Sequence, residues 1–99
     1  MANTLSYSAF SERVNEVFTI IDGAATVELE LMECNQLTAH PAGDTPQRES
    51  FSLVFRGPMN LALPQRTFSL QNVAMGPMEI FLVPIGPDGK GLQYEAVFN

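Results

Sequence analysis

The chain has 99 residues, of which 45% are hydrophobic and 16% charged, and it carries a formal net charge of -6. That length suits one domain, residues 1–99, with enough apolar content to build a core without disulfides. Five Lys and Arg against eleven Asp and Glu leave no basic stripe to displace counterions from phosphates, which argues against nucleic acid and anionic membrane surfaces as partners.

The opening Met1-Ala2-Asn3-Thr4-Leu5-Ser6 lacks the basic start and apolar stretch of a signal peptide. No apolar run approaches the roughly 20 residues of a membrane helix. The expected location is cytoplasmic. Over residues 6–18, Tyr7, Phe10, Val14, Val17 and Phe18 recur at spacings of three and four, which is a helical period. Ser8 is the expected cap, with Ser11 and Glu12 in the first turns. The β-branched and aromatic run Val17-Phe18-Thr19-Ile20-Ile21 ends that helix near Asn15 and starts a strand, and Asp22-Gly23 turns the chain.

Residues 25–38 alternate at first, with Val27, Leu29 and Leu31 on one side and Glu28 and Glu30 on the other. At Leu31-Met32 the alternation breaks, so Met32 and Cys34 take the formerly polar phase. A straight strand of about 13 residues would span roughly 40 Å, too long for so small a domain. The sequence therefore predicts a bulge near Leu31-Met32 that re-aims the side chains. Residues 38–47 form the longest loop by composition. Phe51, Leu53 and Phe55 then alternate in a strand with one strongly buried face, which Gly57-Pro58 ends.

A short strand over Thr67-Phe68-Ser69-Leu70-Gln71 follows. Gly76-Pro77 opens the apolar run 78–85, long enough to suggest burial on both faces, with Pro84 near the strand end or on an edge. Gly86-Pro87-Asp88-Gly89-Lys90-Gly91 is a hairpin turn into the last strand, where Tyr94, Ala96 and Phe98 keep alternation to the penultimate residue. The expected fold is all-β with one short N-terminal helix. About six strands run as an antiparallel meander that curls into a small barrel or compact sandwich, the helix plugging an open end.

Candidate chemistry is sparse. Cys34 is the single cysteine and His40 the single histidine; one lies in a strand and one in a loop, with no nucleophile elbow or oxyanion loop around them. His40, Asp44 and Glu49 fall short of the three or four organised ligands of a zinc site. Glu28 and Glu30, joined by Glu33 across the bulge, read as a solvated strand face that could dock a basic partner, not as a glycosidase pair. The glycine-rich turn lacks the spacing of a phosphate loop. Arg56 is expected to pair with Glu95 or Glu79, or else to anchor an interface. Met59, Met75 and Met78 read as core or rim filler. Catalytic, cofactor-binding and metal residues are thus none, and the candidate interface is Arg56, Glu28 and Glu30.

Phe51-Ser52-Leu53-Val54-Phe55-Arg56-Gly57-Pro58, Leu63-Pro64-Gln65, Phe81-Leu82-Val83-Pro84-Ile85-Gly86 and Tyr94-Glu95-Ala96-Val97-Phe98-Asn99 resemble a small, stand-alone bacterial domain family of unknown function. The resemblance covers almost the whole chain and is strongest after residue 48. Such proteins are sometimes encoded near phage-tail-collar-like proteins. The resemblance implies an accessory or structural role in a tail-like assembly and brings no catalytic residues with it. The expected function is that of a non-enzymatic structural or assembly-accessory protein with a protein partner, self-association included. The alternative is a small-molecule-binding barrel with a pocket under the helix lined by Phe10, Phe18, Phe55 and Phe68.

Overall fold

The computed structural model describes residues 6–21, 26–36 and 50–98. Its elements are α1 (Tyr7–Ser11), β1 (Val17–Ile20), β2 (Val27–Gln36), β3 (Phe51–Gly57), β4 (Arg66–Asn72), β5 (Gly76–Pro87) and β6 (Leu92–Phe98). The six strands close into an antiparallel barrel in the order β1-β2-β3-β6-β5-β4. The expected all-β barrel is therefore the fold, but it is not a simple meander. Two three-stranded meanders, β1-β2-β3 and β4-β5-β6, meet where β6 pairs with β3 and where β4 pairs with β1. Residues 58–65 cross the barrel end to join them. Closure removes every sheet edge, which for a chain this short disposes of the usual template for aggregation.

The bulge is where the alternation broke. Leu31 stands opposite Phe55 and Glu33 opposite Val54, so Met32 is the extra residue. Beyond it Cys34 pairs with Leu53 and turns toward the core, while Glu33 stays exposed. One inserted residue thus keeps apolar side chains inward along a ten-residue strand that curves with the wall.

The helix is shorter than the periodicity suggests and is capped by Ser6, not Ser8. Ser6 is extended (φ -123°, ψ 163°), and its hydroxyl accepts from the Ala9 amide at 3.2 Å. Phe10 enters the core from this helix. Its ring lies about 6 Å from Phe18, Phe51 and Phe98, and Phe51 stacks on Phe98 at 4.7 Å. Such pairs add roughly 0.5–1.5 kcal/mol each beyond simple burial. The helix therefore plugs the barrel end with an aromatic cluster. Asn15, at φ 79°, reverses the chain in the left-handed region that Asn tolerates, and its amide donates to the Leu31 carbonyl at 2.7 Å.

Two strands differ from expectation. In β5, Met78, Ile80 and Leu82 are buried but Phe81 and Ile85 are exposed: a closed barrel has one interior, so an apolar run cannot be covered on both sides. In β3 the reverse holds. Ser52 and Val54, on the outer side, are nearly as buried as the inner residues. Val54 lies directly between Glu33 and Glu95, and long side chains on both flanks shield it. Pro84 lies near the end of β5, which closes at Pro87, and adjoins the register shift between Pro84 and Gly86, where a missing amide donor is tolerated. The Asp22-Gly23 turn and the loop 38–47 lie outside the described residues.

Candidate functional site

Arg56 occupies the outer face of β3, directly opposite Glu30 on β2. Its expected partners are corrected by the register. Glu95 faces Val54 and Glu79 faces Ser69, so neither stands beside Arg56. Its Nε instead donates to Asp88 Oδ2 at 3.0 Å, and Nη1 lies 3.8 Å from Glu30 Oε1. Asp88 sits in the β5–β6 turn, where Oδ1 also accepts from the Lys90 and Gly91 amides at 2.9 Å each. The Lys90 amide above all, then the Arg56 guanidinium and the Gly91 amide, hold the Asp88 carboxyl below its ordinary value of 3.8 against the opposing effect of desolvation.

The turn and the arginine are fitted together. At Gly91 a Cβ would run into the Gly57 carbonyl oxygen and the Arg56 stem, so only glycine lets the hairpin lie this close to β3. The glycine-rich segment read as a turn is that turn, built around Asp88. No sequence spacing marked Asp88 as the partner, because it lies 32 residues from Arg56.

Around this pair the wall is acidic. Glu28 and Glu33 are exposed and Glu30 is partly so, with Glu30 engaged by the longer of the two Arg56 contacts. Glu95 lies on the same outer face, across Val54 from Glu33. The structure thus brings together the three residues singled out in the sequence, Arg56, Glu28 and Glu30, along one side of the barrel. Arg56 is committed within the molecule, and the carboxylates dominate what a partner would meet.

The other candidates separate. Cys34 is half-buried, its Sγ 3.7 Å from the Tyr7 carbonyl oxygen; His40, Asp44 and Glu49 lie outside the described residues. Among the described residues no three His, Cys, Asp or Glu side chains gather as a metal site, and no helix is long and apolar enough to cross a membrane. Phe10, Phe18, Phe55 and Phe68, the expected pocket lining, all belong to one buried core cluster. Phe18 packs edge-on against Phe55 at 5.4 Å and stacks on Phe10 at 6.0 Å.

The residue that sequence reasoning missed is Asn72. It is 2% exposed. Its Nδ2 donates to Glu16 Oε1 and to the Val17 carbonyl, both at 3.1 Å. Its Oδ1 accepts from the Ala74 and Met75 amides at 2.9 and 3.0 Å. A groove of about 480 Å³, open to solvent and lined by Asn15, Glu16, Val17, Asn72, Val73 and Ala74, lies over this junction. That volume would hold a small ligand. However, Asn72 uses both ends of its amide internally, and the Glu16 oxygens already face Asn72 and Arg13. The polar groups here tie the barrel seam. Asn followed by a tight turn is a weak signal for such a bolt, since the same dipeptide context suits any loop.

Fold and surface define a small closed six-stranded antiparallel barrel with a buried hydrophobic core and an acidic wall. The chain belongs to the family described as Domain of unknown function (DUF6916), which matches residues 5–98. No curated protein and no solved structure matches it.

Proposed function

We propose that the protein is a non-enzymatic assembly-accessory domain that acts in the cytoplasm through protein–protein contacts on its outer wall. The observation that carries the reading is the acidic side of the barrel. Glu28, Glu30, Glu33 and Glu95 share it, and Arg56 beside them is already held by Asp88. Such a face favours a partner with basic side chains, steers its approach and loses strength as salt rises. The resemblance to proteins encoded near phage-tail-collar-like proteins supports a tail-like assembly as the setting. A ligand inside the barrel is less favoured, because the aromatic residues that would line its pocket pack on one another.

The test is capture of the partner from the native host, its identification, and titration with purified components. Glu28→Gln with Glu30→Gln should change stability by less than about 1 kcal/mol, weaken binding roughly tenfold and flatten its salt dependence. A partner that binds the double variant with unchanged affinity and salt slope would overturn the reading.

A further inference from the structure

The two meanders are built alike. In each, the middle strand is the longest and carries one extra residue against the strand after it, Met32 in β2 and Ile85 in β5. With the two bulges matched, Phe55, which faces Leu31, is equivalent to Tyr94, which faces Pro84. Phe55 and Tyr94 also pair with each other where β3 meets β6, as a two-fold axis through that pair requires. The same match makes Val27 equivalent to Ile80. Ile20, which faces Val27, is then equivalent to Phe68, which faces Ile80. The next residues are Ile21 and Ser69, and the Ile21 amide donates to the Ser69 carbonyl at 2.9 Å where β1 meets β4. The axis therefore passes through both junctions, which lie opposite each other in the ring. Equivalent inward positions agree as well: Leu29 and Leu82, Phe55 and Tyr94, Gly57 and Ala96 are all buried.

We propose that the chain is a fused pair of equivalent half-barrels, and that β4–β5–β6 of one copy also closes on β1–β2–β3 of a second, giving an exchanged two-fold dimer. The register selects this occupant. A second copy offers the same β4 and β6 ladders as the chain's own half, so the exchanged form keeps every strand pairing. Only the crossover has to change. Residues 58–65 are exposed except for half-buried Leu63. The Pro58 carbonyl accepts from the Leu61 amide at 3.4 Å. The Tyr94 hydroxyl accepts from the Leu63 amide at 2.9 Å and donates to the Leu61 carbonyl at 3.5 Å. Pro58 and Pro64 favour extended backbone at the residues before them, which suits a crossover that straightens. β3 and β4 stand opposite each other in the ring, so a straightened crossover carries β3 directly into β4 of a barrel stacked end to end. In the closed monomer the tether holds the two halves at a roughly millimolar effective concentration, so exchange belongs to folding at comparable chain concentration.

Refolding the full chain from urea at about 5 μM and at about 1 mM, followed by size-exclusion chromatography, reads the partition. The dilute sample should be monomer. The concentrated one should also hold a dimer that survives dilution, because the exchanged halves part only through unfolding. Deleting residues 58–65 joins Gly57 to Arg66 through one link of about 3.8 Å, whereas six strands at about 4.8 Å spacing hold opposite strands about 10 Å apart. That variant should be a dimer at every concentration. A circular permutant, with Asn99 linked to Met1 through about eight Gly and Ser residues and new ends between Asn60 and Leu61, should fold as a monomer, because equivalent halves close without the crossover. Monomer alone after concentrated refolding, a dimer that dissolves on dilution, a deletion variant that is monomeric or unfolded, or a permutant that does not fold would overturn the proposal.

Discussion

The barrel seam between β1 and β4 is its shortest, with only Thr19–Gln71 and Ile20–Leu70 in register, and Asn72 bolts it. Replacing Asn72 with Ala removes four hydrogen bonds from a side chain that is almost wholly buried. Each typical bond contributes about 0.5–1.5 kcal/mol net. The Ala74 and Met75 amides regain water in the opened turn, so the expected loss is about 2–4 kcal/mol. Against a total of roughly 5–15 kcal/mol for a domain of this class, that lowers the melting temperature by about 10–20 °C. Asn72→Asp separates the two halves of the bolt. It keeps the acceptor for the turn but sets a carboxylate against Glu16 and the Val17 carbonyl, so its folded pKa rises. The folded state then binds the extra proton, and this variant should recover stability as pH falls through that raised pKa and lose it as pH rises. Urea unfolding at neutral and mildly acidic pH measures both effects. An Asn72→Ala protein within about 0.5 kcal/mol of wild type would refute the reasoning, since the seam would then hold without its bolt.

Because the Asp88 carboxyl is held low by the Lys90 amide and by Arg56, its contribution is present above the ordinary value and lost as pH falls through the depressed one. Acid titration of stability should therefore show a loss below about pH 4 that Asp88→Asn flattens. Deleting Met32, the extra residue of the bulge, leaves Glu33 opposite Val54 and Cys34 opposite Leu53 in plain alternation after Leu31; the product should stay folded and melt cooperatively, and an insoluble or unfolded deletion variant would contradict the bulge assignment. Removing residues 94–99 strips Tyr94, Ala96 and Phe98 from a strand paired on both sides, with β3 and β5. Loss of a large buried aromatic alone costs about 3–5 kcal/mol, so the 1–93 fragment should not fold. A soluble 1–93 fragment with a cooperative melt would show that the barrel closes without its last strand.

What the sequence determined by itself is whatever depends on near neighbours along the chain. Alternation of Val27, Leu29 and Leu31, then its break at Met32, located a bulge that the register confirms, because the side-chain period of a strand is local. The Gly/Pro/Asp cluster placed the β5–β6 turn, and the continuing pattern of Tyr94, Ala96 and Phe98 made the last strand integral. Acidic residues alternating with buried ones placed Glu28 and Glu30 on the outside. What the tertiary structure decided depends on which distant strands meet. The order β3-β6-β5-β4 follows from closure, and no periodicity encodes it. Closure also exposes Phe81, in a run that reads as buried on both sides, since a single curved sheet encloses only one face. It brings Asp88 to Arg56 across 32 residues and Asn72 to Glu16 across 56. Hydrogen-bond partners of this kind are chosen by the register of non-neighbouring strands, and that register is set only when the whole wall closes around its core.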